Sequence, residues 1–227
     1  LPRRTARSVI RGIINRAGGR DAKNQFYFEL LYHLIYYPVF WKLQQKDVFV
    51  LHGGGLRLRG RGVVIIGAQG TGKSTIIANL LPREETEFLS DNIVLYDRST
   101  VRACHEPVRI AEDLLESVPG LRDLVDGIEL HVPLGRKAYN IKKEACIEMI
   151  NPEVFVIPKM SSSKTAIRPV SEEYVVGRAL DFNVLAEEVR TFDTFDAILS
   201  LGFDSRSSRT KAPTTLESLF EGKRCYE

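Results

Sequence analysis

Apolar and polar positions along this chain fall into blocks whose period changes several times. Phe26, Leu30, Leu31, Leu34 and Ile35 recur at helical spacing and predict a buried helix that Pro38 ends. Val48 to His52 is apolar and extended, and Gly53-Gly54-Gly55 after it predicts a turn. Leu56-Arg57-Leu58-Arg59 alternates with the period of a half-buried strand. Gly60-Arg61-Gly62 then turns the chain into the β-branched run Val63 to Ile66. Two strands joined by a short glycine turn read as an antiparallel pair.

Further along, Ser74 to Leu81 reads as a helix with Ile76, Ile77, Leu80 and Leu81 facing inward, and Pro82 stops it. Glu87 to Ser90 and Ile93 to Tyr96 are short strands on either side of Asp91-Asn92. Val108 to Ile110 predicts a strand, Glu112 to Leu124 a helix broken at Pro119-Gly120, and Ile128 to Val132 and Val154 to Ile157 two more strands. Ser161 to Lys164 is a polar loop, Glu172 to Leu201 turns helical again, and Ser205 to Glu227 reads as a polar, mobile tail. The pattern divides the chain into a basic helical extension over 1–45, an α/β unit over 46–204 with a strand-rich middle, and the tail over 205–227.

Composition narrows this little. The chain has 227 residues, 44% apolar and 27% charged, which suits one large soluble domain with an extension. Its net charge of +3 is too small to argue for nucleic acid, but the charge is unevenly placed. Arg3, Arg4, Arg7, Arg11, Arg16, Arg20 and Lys23 face only Asp21 within the first 25 residues. A solvated, partly frayed helix is the plain reading; an acidic partner, RNA or a membrane surface is the functional one. Leu1 in place of an initiating Met leaves room for an upstream segment. The apolar stretch Phe26 to Trp41 is interrupted by Glu29, His33 and Pro38, so a membrane span is not expected. Cys104, Cys146 and Cys225 have no CxxC spacing, which fits a reducing, cytoplasmic setting and argues against a zinc site or a disulfide framework.

Gly67-Ala68-Gln69-Gly70-Thr71-Gly72-Lys73-Ser74, followed by Thr75, carries the chemistry. It satisfies GxxxxGK[ST], which arises by chance in a chain of this composition about 1% of the time. In such a loop, glycines turn successive N–H groups inward around an anion, and the next helix adds its positive N-terminus. Lys73 should reach the outer phosphates of ATP, and the Ser74 hydroxyl should sit on Mg²⁺. Ile93 to Asp97 could pose as a metal-binding strand, yet it lies close behind the loop. Neither an LSGGQ transporter signature nor an NKxD guanine motif is present.

His52 lies fifteen residues ahead of Gly67, and Asp91 eighteen beyond Lys73. "LHGGGLRLRGRGVVIIGAQGTGKST" followed by "EFLSDNIVLYD" resembles the HPr kinase/phosphorylase family, over residues 48–97. The resemblance implies an HPr-kinase/PEP-carboxykinase-like P-loop domain, α/β with a mixed, strand-rich sheet and flanking helices. It also implies transfer of the ATP γ-phosphate to a hydroxyl with Mg²⁺, and homo-oligomers. Carried over, Lys73 is the phosphate lysine, Ser74 and Asp91 stand at the metal, Asp91 receives the acceptor proton and His52 lies beside it. A carboxylate is already ionised at neutral pH, so this base needs no special tuning. Asp91-Asn92 also suits a plain turn, His52 a packed strand end, and Asp97 competes as the metal residue. Asn92 stands where the family has a second aspartate, and Thr75 where many members have glutamate. The reverse phosphatase step and HPr itself are therefore not expected; a divergent, kinase-only relative is. Arg109, Arg136 and Lys137 are weaker candidates for contacting an anionic substrate or nucleotide. The expected acceptor is a protein, peptide or small molecule. A nucleotide-hydrolysing switch or a non-catalytic nucleotide-binding module are the alternatives.

Overall fold

The computed structural model describes residues 30–132, 136–160, 165–183, 189 and 205–227. The expectations for the basic segment 1–25, for the loop 161–164 and for most of the helix past 183 lie outside the described residues. What is described is a mixed α/β unit built around a mixed sheet.

Strand β1 (Phe49–Leu58) is the axis of that sheet. It pairs antiparallel with β2 (Arg61–Ile66) from Gly53↔Ile66 to Leu58↔Arg61, as the alternation predicts. The hairpin closes on Arg59 and Gly60, both at positive φ, the geometry that matches the right-handed twist of the strands. The glycine triplet is not a turn; Gly53, Gly54 and Gly55 lie inside β1. The reason is crowding. A Cβ on Gly54 would sit 2.3 Å from Ile77 Cδ1 and 2.9 Å from the Ser90 carbonyl oxygen, and one on Gly53 would sit 2.9 Å from the Ile65 oxygen. Bare backbone lets neighbouring elements press against β1 from several sides.

Strands β3 (Thr86–Ser90) and β4 (Ile93–Tyr96) both run antiparallel to β1. The register passes from His52↔Ile93 to Gly55↔Ser90 without a slip, which sets Gly53 and Gly54 opposite Asn92 and Asp91. Asp91-Asn92 is thus a bend within one long antiparallel path and not a hairpin turn. Just beyond it a bulge admits Leu89, where the pairing shifts between Gly55 and Leu56.

The far side of β2 pairs in parallel with β10 (Pro152–Val156), and β10 in parallel with β11 (Arg224–Tyr226). Beyond β4 come β5 (Val101–Ala103) and β9 (Met149–Ile150), giving the order β11-β10-β2-β1-β4-β5-β9 with β3 also on β1. A second sheet, β6-β8-β7, is formed by β6 (Val108–Ala111), β7 (Val125–Val132) and β8 (Arg136–Ile141).

Helix α1 (Tyr37–Gln44) continues a π-helical turn, Tyr32–Tyr36. Pro38 does not end this helix. It stands in the first turn of α1, at the point where the π-helical turn passes into the α-helix. The buried face is also not the expected one. Tyr32, Tyr37 and Phe40 pack with Val50 and Ile93, while Leu34 and Ile35 are 68% and 53% exposed. The aromatic stripe takes the core and the aliphatic stripe faces out.

Helix α2 (Lys73–Leu80) lies between the two sheets, with Ile77, Ala78, Leu56, Ile65, Ile110 and Leu121 in one core. Helix α3 (Glu112–Ser117) is followed by a 3-10 turn, Arg122–Leu124, with the expected break at Pro119-Gly120. The other face of the large sheet is covered by α4 (Glu172–Phe182) and α5 (Ser205–Phe220). Residues 213–227 are therefore packed into the fold and do not form a mobile polar tail. Leu216, Leu219 and Phe220 are fully buried, the Phe220 ring lies 4.0 Å from that of Phe155, and β11 extends the sheet. Spacing of i, i+3 and i+4 was enough to bury one face of an otherwise polar segment.

Candidate nucleotide and phosphate site

The glycine-rich loop spans the gap between β2 and α2. Gly70 and Gly72 take left-handed φ values of 83° and 96°, the conformation for which the spacing of glycines is needed. Gly67 is buried, and a Cβ there would sit 2.7 Å from Thr71 Oγ1. Thr71 Oγ1 donates to the Ala68 carbonyl at 2.9 Å and fastens the loop across its neck. Gln69, Gly70 and Thr75 are exposed, and Ser74 is half-buried. Gly72 caps α2 without any side-chain bond, so the first N–H groups of the helix lack a side-chain cap.

Lys73 is 7% exposed, with Nζ donating to the Gly67 carbonyl at 2.6 Å and the Ala68 carbonyl at 3.0 Å. Burial pushes its ammonium downward, and the nearby Asp91 carboxylate opposes that shift. His52, on β1, is pushed down to about 4 by burial and then by the charge of Lys73, so its imidazole is neutral at pH 7. Charge thus links His52 to Lys73 and Lys73 to Asp91. Ser74, Asp91 and Arg109 line one crevice, floored by Ile77, Phe88 and Val108. The structure therefore brings Ser74, Asp91 and Arg109 to one crevice, with Lys73 near enough to Asp91 and to His52 for charge to act between them.

It sends the other candidates elsewhere. Asp97 accepts from the backbone N–H groups of Ser99 and Thr100, from Thr100 Oγ1 at 2.7 Å, and pairs with Arg102. Burial resists its ionisation, but these bonds outweigh burial and hold its carboxyl below the usual value. It fastens the turn from β4 to β5. Lys137 Nζ bonds Glu112 at 2.8 Å, a carboxylate that also takes Arg122, so Lys137 belongs to a surface ion-pair cluster on the second sheet. Arg136 starts β8 opposite Ala111; its side chain lies outside the described residues.

Sequence reading missed Asn183, which closes α4. It is 6% exposed; its Oδ1 accepts from the His52 backbone N–H at 3.1 Å and its Nδ2 donates to the Val50 carbonyl at 2.8 Å. Pairing of β1 with β2 begins only at Gly53, so the preceding edge of β1 needs other partners. One amide supplies both and fixes His52. A polar residue inside the predicted helix Glu172 to Leu201 gave no hint of this, nor of the helix ending there. Glu106 and Tyr32 were also missed; the Glu106 carboxylate accepts from both Asn92 Nδ2 and the Tyr32 hydroxyl.

The donor set suits nucleotide and metal. Uncapped helix N–H groups and Lys73 suit phosphate oxygens, while one hydroxyl and one carboxylate in a crevice are what Mg²⁺ takes when phosphates and water complete its shell. Among the described residues, no group of three His, Cys, Asp or Glu forms an all-protein metal cage.

No family model matches the chain, and no curated protein matches it. Among solved structures it is similar to the Hpr(Ser) kinase/phosphatase from Coxiella burnetii, at 14% identity and a TM-score of 0.29 over 53% of this chain and 70% of that one. A likeness of that size decides neither the fold family nor the reaction. Among the described residues no helix is long and apolar enough to cross a membrane.

Proposed function

We propose that this chain is an ATP- and Mg²⁺-dependent kinase that moves the γ-phosphate to a hydroxyl of a protein, peptide or small molecule, on an HPr-kinase-like P-loop domain. The observation that carries the reading is the meeting of Ser74, Asp91 and Arg109 in one crevice behind a GxxxxGKS loop. A hydrolase would need only the loop and a metal residue. A carboxylate on a separate bend, between β3 and β4 and opposite bare glycine backbone, supports a second substrate.

In this reading the loop N–H groups of 68–74 and the N-terminus of α2 hold the β and γ phosphates. Lys73 exchanges its loop carbonyl partners for phosphate oxygens. Ser74 and Asp91 would hold Mg²⁺, which when bound spreads the charge that builds on the phosphoryl oxygens. Asp91 orients the acceptor hydroxyl in line and takes its proton late in transfer. His52 is neutral, so it adds no positive charge beside Lys73 and offers a hydrogen bond instead. Arg109 faces the transferring group from β6. The remaining expectations, a cytoplasmic setting, a homo-oligomer and an acidic or RNA partner for residues 1–25, accompany the reading without carrying it.

The test is incubation with γ-labelled ATP and Mg²⁺ alongside separate protein and small-molecule pools. Label entering one pool, and lost with Asp91→Asn, supports the kinase. Label ending only as free phosphate favours hydrolysis, and unchanged ATP with retained binding favours a non-catalytic module.

A further inference from the structure

Asn92 stands where the resembled family carries a second aspartate, and its side chain is engaged. Asn92 Nδ2 donates to Glu106 Oε2 at 2.9 Å, and the Tyr32 hydroxyl donates to Glu106 Oε1 at 2.6 Å. The two donors and their acceptor come from three places: the π turn ahead of α1, the bend between β3 and β4, and the stretch between β5 and β6. An ionised carboxylate can only accept hydrogen bonds. An aspartate at 92 would therefore set two like charges about 3 Å apart, which disfavours ionisation of both. Asparagine at 92 and glutamate at 106 are a matched donor and acceptor.

The pair bears on Asp91 because of where Asn92 is held. Its carbonyl accepts from the Gly53 N–H at 3.1 Å while its side chain is gripped by Glu106, so the residue after Asp91 is fixed at both ends. Tyr32 is 8% exposed, and burial followed by the charge of Glu106 keeps its phenol protonated and donating. Arg109, three residues past Glu106, lines the crevice with Asp91, so the same short stretch serves both.

We propose that Glu106, anchored by Tyr32, is a positioning residue: by holding the Asn92 side chain it sets the direction in which Asp91 meets the acceptor hydroxyl. The inference rests on the kinase reading of Asp91. It also makes the helical segment bearing Tyr32 part of the catalytic unit and not an appendage to it.

Exchanging the pair tests this. Asn92→Asp alone opposes two carboxylates. Combined with Glu106→Gln it restores one donor and one acceptor in reversed order, and the carbonyl oxygen of the new amide can still accept from Tyr32. The readouts are phosphate release from ATP with Mg²⁺, with water as acceptor, the thermal midpoint, and hydrogen exchange at the Gly53 amide. Asn92→Asp is expected to lower kcat at least about tenfold with KM for ATP within about twofold, as befits a lost orientation and not lost binding. The double exchange is expected to recover kcat to within about threefold of the original. An unchanged kcat in Asn92→Asp, or a double variant no better than the single, overturns the proposal. Should Asn92→Asp fail to fold, Tyr32→Phe provides the same kcat-against-KM comparison with one hydroxyl removed, and an unchanged kcat there overturns it. Should the unaltered protein release no phosphate, water is not an acceptor for it, and the kinase reading is decided by the labelled-ATP pools described above. Gly53 exchange then decides the inference: faster exchange in Asn92→Asp and recovery in the double variant support it, and no change across the set overturns it.

Discussion

Asp91 and Asp97 lie six residues apart at either end of the same short strand, and either could serve a phosphate site by sequence. Their surroundings differ in kind. Asp97 is served by its own turn, with donors from Ser99, Thr100 and Arg102 within five residues. Asp91 faces the backbone of β1 where side chains are absent, and its charge acts on Lys73 and its crevice includes Ser74 and Arg109. A carboxylate satisfied by its nearest neighbours in the chain is structural. One among groups from distant elements, as Asp91 is, is what the proposed transfer to a second substrate calls for.

The largest effect expected follows from that contrast. Asp91→Asn should lower γ-phosphate transfer by about 10³-fold, within the range for a lost general base, while ATP affinity stays close to its original value. Asp97→Asn should leave transfer within about twofold. Rates from labelled ATP, measured for both variants, would break the comparison if the two losses were alike.

Gly54→Ala probes the crowded backbone that Asp91 faces. The added methyl meets Ile77 and the Ser90 carbonyl, and overpacking of this kind costs about 3 kcal/mol, readable by urea denaturation. Gly60→Ala, at an open hairpin position with φ 77°, should cost about 1 kcal/mol through backbone strain alone.

His52 gives a pH signature. Its folded-state pKa of about 4 lies below the unfolded value near 6.5, so the unfolded chain binds the extra proton first. Stability is complete above pH 6.5 and falls as pH drops toward 4. The loss is about 2 kcal/mol after allowance for its partial exposure. His52→Gln should flatten that part of the pH profile in thermal unfolding. Asp97 has an effect as small as that of Gly60. Its depressed carboxyl lends stability above the ordinary carboxylate pKa and loses it as pH falls below that value. Asp97→Asn should cost about 1 kcal/mol at pH 7, a few degrees of melting temperature.

Much of this site was legible because its logic is local. The loop, the strand before it and the helix after it lie within residues 61–80, and spacing alone placed the turn of Gly67 to Gly72 between them. The bend at Asp91 was legible in position but not in meaning, since the glycine triplet reads as a turn until its neighbours are known. Asn183, Glu106 and Tyr32 were not legible. Each acts through one hydrogen bond or two across 60 residues or more, or across a strand edge, and no periodicity encodes such a bond. Helix α1 misled for a related reason. Aliphatic and aromatic stripes compete for the core, and the partner surface around Val50 and Ile93 accepts rings. The C-terminal segment misled because its few buried residues are diluted by polar ones.

The Asn183 clamp has a consequence for how the molecule comes into being. It joins residues 131 positions apart, whereas the hairpin β1–β2 and helix α2 close over neighbours. Contacts of high sequence separation form late, because a long loop must be closed before they contribute. On the ribosome, the glycine-rich loop is expected to assemble while the strand bearing His52 still lacks its anchor. Pulse-labelled hydrogen exchange during refolding should show the Gly53 amide protected ahead of that of His52.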